Sequence, residues 1–96
     1  MKYFGKKAFY CADLSQGLVL PQGLETIDDF AFYNTNLTSI VIPNTVTYVG
    51  KFAFESCERL TIYVEKGTNT QGWHYNWNIL EERTTLDDIR HEVCYL

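Results

Sequence analysis

The chain says nearly the same thing three times. "FGKKAF" (Phe4 to Phe9), "IDDFAF" (Ile27 to Phe32) and "VGKFAF" (Val49 to Phe54) align at offsets of 23 and then 22 residues. A second set keeps step 22 residues apart: Leu18-Val19-Leu20-Pro21, Ile40-Val41-Ile42-Pro43 and Ile62-Tyr63-Val64-Glu65. Leu24 and Ile27 recur as Val46 and Val49, and Leu14, Leu37 and Leu60 form a further column. A unit of this length cannot bury its apolar face alone. Recurrence therefore implies coils stacked on one another around a shared core.

The pattern inside each unit says how a coil is built. Leu18/Leu20, Ile40/Ile42 and Ile62/Val64 alternate with other residues, the period of a strand with one buried face. Pro21 and Pro43 end that strand, because proline gives no donor to a ladder. The Ala-Phe pair is expected on a short helical or 3₁₀ turn on the opposite side. Alanine there lets backbones approach, and phenylalanine fills the space between layers. A period of about 22 lies in the leucine-rich-repeat range. The expected fold is an α/β repeat solenoid: a short right-handed β-solenoid of about three coils, with parallel strands, short helical turns and a C-terminal aromatic and helical cap. Two segments are expected, a repeat domain with its closing segment over 1–80 and an amphipathic C-terminal helix or tail over 81–96.

The stretch from Leu37 to Leu60, "LTSIVIPNTVTYVGKFAFESCERL", resembles the BspA-type leucine-rich repeat. Leu37, Ile40, Ile42, Pro43, Val46, Val49, Gly50, Ala53, Phe54, Cys57 and Leu60 fill the family's pattern, and the resemblance runs from Phe4 to Trp77. "IYVEKG" resembles the family's closing stretch, with Glu65 in place of a proline. In the second unit Asp28 stands for the glycine and Thr35 for the cysteine. The resemblance implies protein binding, as in bacterial adhesins and surface arrays, with no catalysis and no cofactor. It implies a cell-surface or secreted location. The N-terminus lacks a clean signal-peptide core, so a cytoplasmic setting stays open. Met1 falls in mid-repeat, and the chain reads as the end of a longer array or as a miniature one. The alternative function is a small intracellular inhibitor or adaptor, for instance phage-borne, that blocks a larger protein.

If the alternating leucines and isoleucines point inward, Val19, Val41 and Tyr63 form an outward stripe. Gly17, Ser39 and Thr61 flank it. Val19, Val41, Tyr63, Ser39 and Thr61 are the candidate binding residues, set against the plain reading that such residues simply favour strands. Tyr10 and Tyr33, with Glu55 at the same place in the third unit, are expected on the outer turn.

Downstream, Trp73, Tyr75, Trp77 and Ile79 are expected to cover the last coil. Thr85 reads as a helix N-cap, and Leu86, Ile89, Val93 and Leu96 follow at helical spacing. This helix is expected to fold back on the domain or to pack against another molecule, and the uncapped N-terminal coil or this helix could meet its like in a homodimer or be covered by a partner.

Little else in the sequence points to chemistry. Formal charge is −4 with scattered basic residues, which argues against nucleic acid. No apolar run is long enough to insert in a membrane. Three cysteines at irregular spacing make neither a disulfide framework nor a zinc site, and they are expected to be buried thiols. His91 and Cys94 could share one helix face, but two ligands do not make a site. Asn36-Leu37-Thr38 is a glycosylation sequon. Adjacent carboxylates such as Asp28-Asp29 point apart and make poor acid–base pairs.

Overall fold

The computed structural model describes residues 2–81 and 89–96. Among them are eight strands: β1 (Tyr3–Phe4), β2 (Thr26–Ile27), β3 (Ser39–Ile42), β4 (Tyr48–Val49), β5 (Thr61–Val64), β6 (Ile79–Glu81), β7 (Ile89–Arg90) and β8 (Glu92–Tyr95). They form two parallel three-stranded sheets, β1-β2-β4 and β3-β5-β8, and an antiparallel pair, β6-β7. The registers reproduce the sequence repeat. Phe4 lies beside Ile27, which lies beside Val49, and Ile40 lies beside Ile62. β3 and β5 alternate as expected, with Ile40, Ile42, Ile62 and Val64 buried. This is a repeat fold of coils paired in parallel.

The Ala-Phe segments are not helical. From Lys7 to Ala12, alternate amides bond in two directions. Ala8, Tyr10 and Ala12 donate to carbonyls three residues back, whereas Lys7, Phe9 and Cys11 donate across to Asp29, Ala31 and Tyr33 of the next coil. The scheme recurs from Phe30, Phe32 and Asn34 to Lys51, Ala53 and Glu55. It recurs again from Phe52 and Ser56 to Asn76 and Leu80. A helix directs every bond within its own segment. Here half of them stitch coil to coil, as in a sheet. The geometry needs left-handed residues, supplied by Lys7, Cys11, Phe30, Asn34, Phe52 and Ser56 at φ of 54° to 65°. Only asparagine among these favours that region intrinsically. The inter-coil bonds hold the other five there.

Between the sheets the aromatic rings line up. Phe9, Phe32 and Phe54 stack nearly parallel, with centroids 5.2 and 5.3 Å apart. Ala31 and Ala53 are fully buried beside them, which explains the small residue at that column. In the first coil Ala8 is exposed and Phe9 half-buried. Cys57 lies in the core, its thiol 3.0 Å from the Phe32 carbonyl and 3.2 Å from Thr35 Oγ1. Thr35, standing for the family cysteine, thus joins the same contact.

The chain begins a fourth coil after residue 65. His74 donates to Val49 as Gly50 donates to Ile27. Trp73 and Trp77 are buried edge to face, and Trp77 meets Phe54 in the same manner. The β6-β7 pair then interrupts the coil before β8 returns to the sheet beside β5, Ile62 opposite Val93. The helix expected over the tail is therefore corrected. Its proposed start at Thr85 lies outside the described residues, and 89–90 and 92–95 are strands. Val93 and Tyr95 alternate with Glu92 and Cys94, so the segment also carries strand periodicity. The free edge of β5 decides between the two for so short a run.

His91 sits in the leucine column, one residue before β8 as Leu60 is before β5. It is buried, with Nε2 2.6 Å from the Phe54 carbonyl. Burial lowers its affinity for a proton below the ordinary value near 6.5. The unfolded chain then binds the proton more tightly. Stability is expected to be full above pH 6.5 and to fall as pH drops below it. His91→Leu should flatten that fall, measured as urea midpoints across pH 5 to 8.

Candidate functional site

The outward side of the larger sheet carries the candidate residues. Val41, Tyr63 and Cys94 stand in one file, and Ser39, Thr61 and Glu92 in the file beside it, because β3, β5 and β8 pair residue for residue. Val41 is 49% exposed and Tyr63 half-buried. The structure therefore brings Val41, Tyr63, Ser39 and Thr61 together as the repeat predicts.

Val19 is placed differently. The Leu18–Leu20 segment forms no ladder with β3, although Leu20 is buried and Leu18 packs on the core. Gly17, at φ +87°, turns the chain at its start. Val19 is 91% exposed. Between this segment and β3 lies a groove of about 320 Å³, lined by Leu18, Val19, Ile40, Val41, Pro43 and Glu65. The Val-Val-Tyr stripe is thus a two-residue file, Val41 and Tyr63, with Val19 on the far bank of a groove.

Cys94 and Glu92 were not foreseen as part of this face. They stand 31 residues after Tyr63 and Thr61 rather than 22, since β6, β7 and the residues between them intervene. The signal was the alternation in "HEVCYL", read at helical spacing instead. His91 and Cys94 do not share a face, for residues three apart on extended chain point to opposite sides. His91 faces the core and Cys94 the outside.

Two further surfaces flank the sheet. On the outer turn, Tyr10 and Tyr33 stack 4.8 Å apart, as their shared column implies. Lys7 lies over Tyr10, and Lys51 over Phe30 and Phe52. Elsewhere a polar groove of about 540 Å³ runs past Cys11, Asp13, Asn34, Asn36, Ser56 and Arg59. The amide of the sequon residue Asn36 donates to Asp13 at 2.7 Å, and that bond holds the Asp13 carboxyl below its ordinary range. The Tyr3 hydroxyl donates to Asp28, lowering that carboxyl and raising the phenol. These bonds tie coil to coil and build no acid–base pair.

Of the three thiols expected to be buried, one is. Cys57 is buried, but Cys11 is exposed and Cys94 partly so. Burial pushes the Cys57 thiol up, away from the thiolate that nucleophilic chemistry needs. Among the described residues no three His, Cys, Asp or Glu side chains cluster as metal ligands would. No helix there is long and apolar enough to cross a membrane.

The comparison that decides the family agrees with this geometry. The family model for the BspA type leucine rich repeat region matches residues 1–79, in six copies. The chain belongs to the BspA-type leucine-rich-repeat family. No curated protein and no solved structure matches it. Membership of this family points to a protein–protein interaction module.

Proposed function

We propose that this BspA-type domain is an adhesin-type surface module that holds a protein ligand across its β3-β5-β8 sheet. The observation that carries the reading is the contiguous row of Val41, Tyr63 and Cys94, continued across a groove by the exposed Val19. Apolar groups lie at the centre, with Ser39, Thr61, Glu92 and Glu65 around them. That matches the anatomy of recognition surfaces, in which an apolar centre has a polar rim. The two glutamates favour a ligand with basic groups at its margin.

The test is capture of proteins from a panel of extracellular-matrix and serum proteins by the immobilised chain. Two variants are compared, Val41→Glu/Tyr63→Ala on the sheet and Tyr10→Ala/Tyr33→Ala on the outer turn. Truncating central contacts costs about 2 kcal/mol or more, roughly thirtyfold in affinity. The sheet variant is expected to lose the ligand by that factor and the turn variant to keep it. The reverse pattern would contradict the proposal.

A further inference from the structure

We infer that β8 is the docking edge for a second copy of this chain, joining two three-stranded sheets into one of six strands about a two-fold axis through Cys94. The inference does not depend on which ligand the sheet face holds.

Leu96 donates to Val64 at 2.9 Å, and β8 runs parallel to β5 with Tyr63 opposite Cys94. Even-numbered residues of β8 therefore aim their backbone groups at β5. Val93 and Tyr95 aim theirs at the other edge, where the His91 amide meets the Asn78 carbonyl but neither Val93 nor Tyr95 makes a backbone bond to a described residue. That is an unpaired strand edge, the kind of surface to which another strand adds. The opposite edge of the sheet differs, because the Gly17–Leu20 segment stands over β3 across the groove.

The side chains tell the same story. Val93 and Tyr95 belong to the inward files, beside Ile62 and Val64. Yet Tyr95 is 66% exposed and Leu96 61%, whereas Val64 one strand away is buried. An inward file open at its end needs an apolar neighbour of the same height.

A second β8 supplies one in a single register. In an antiparallel pair centred on Cys94, Val93 of each copy faces Tyr95 of the other. Their outward N–H and C=O groups then form two hydrogen-bonded pairs. Registers that would use residue 91 are closed, since the His91 amide already donates to the Asn78 carbonyl at 2.9 Å. The pairing places tyrosine beside valine on the buried face, a favourable cross-strand combination. The two-fold lies perpendicular to the sheet, so both cores stay on one side. The two Cys94 side chains meet on the outward face in a non-hydrogen-bonded pair. There Cα atoms lie about 4.5 Å apart, within the span of a disulfide.

The test uses the full chain in four forms: wild type, Cys11→Ser, Cys11→Ser/Cys94→Ser and Tyr95→Pro. Proline at 95 removes an outward donor and leaves every bond to β5 intact. Sedimentation is expected to show a concentration-dependent dimer for the first three forms. Tyr95→Pro should weaken it roughly ten- to hundredfold, the loss of two bonds per dimer. Diamide, which takes up the two thiol hydrogens, should convert Cys11→Ser to a covalent dimer and leave the double variant uncrosslinked. Amide exchange on the wild type gives a check free of substitution, with Val93 and Tyr95 protected alongside Cys94 and Leu96. A monomer at every concentration, a Tyr95→Pro dimer of unchanged strength, or a dimer whose Cys94 thiols do not join would each overturn the inference.

Discussion

Phe32→Ala is expected to cost about 3–5 kcal/mol of stability, the range for deleting a buried aromatic. The residue is fully buried at the centre of the ring stack. Phe9 lies 5.2 Å to one side, Phe54 5.3 Å to the other, and Phe4 meets its edge at 6.0 Å. The cavity would open between two coils whose backbones are bonded to each other, so neither can close on it alone. A domain of this size holds about 5–15 kcal/mol in total. The variant should therefore be largely unfolded in mild urea. Phe9→Ala is the internal comparison. Its ring is half-exposed in the first coil and should cost about half as much. Equal losses in a urea titration would contradict the placement of Phe32 at the centre.

Gly50→Ala is the second large effect. The constraint here is distance between coils rather than a left-handed turn. A β-carbon at this position would lie 2.3 Å from Asp29 Oδ1, 2.6 Å from Asp29 N and 2.8 Å from the Asp28 carbonyl carbon. The carboxylate could swing away, but the two backbone atoms cannot. The Asp29 carboxylate also accepts the Lys51 amide at 2.9 Å, and Gly50 itself donates to Ile27 at 2.8 Å. Relief would require the coils to part and lose these bonds. About 3 kcal/mol of destabilisation is expected, the upper end for overpacking. Gly72→Ala is the control, because its β-carbon would find nothing nearer than 3.6 Å. That change should stay within about 0.5 kcal/mol. Adding Asp29→Ala to Gly50→Ala should recover only part of the loss, since the backbone clash remains.

Much of this architecture was legible because stacking writes itself into periodic columns. The columns of Ile40 and Ile62, of Ile27 and Val49, and of Phe32 and Phe54 appear in space as they do in sequence. Bond direction was not legible. Apolar spacing around "KFAFES" is compatible with a helical turn, and nothing in it reports that Phe52 and Ser56 send their amides to another coil. Five of the six left-handed positions hold side chains that disfavour that region, so local preference pointed away from the answer. The last strand was hidden by the interruption before it. With β8 displaced by nine residues from the period, its alternation was overshadowed by a helical spacing that Leu86, Ile89, Val93 and Leu96 also satisfy. The same shift concealed Cys94 and Glu92 from the binding face. Val19 fitted its column in sequence, yet its segment stands off from β3. Position in a repeat does not report whether the ladder closes.

The chain's own turns are laid side by side, ending with β8 against β5. Nuclear Overhauser contacts on the isotope-labelled chain test this most directly. The account predicts ring-to-ring contacts from Phe9 to Phe32 and from Phe32 to Phe54, together with backbone contacts between 61–64 and 92–95 in parallel register. Sequential helical contacts through 92–95, or three phenylalanine rings without mutual contacts, would contradict it.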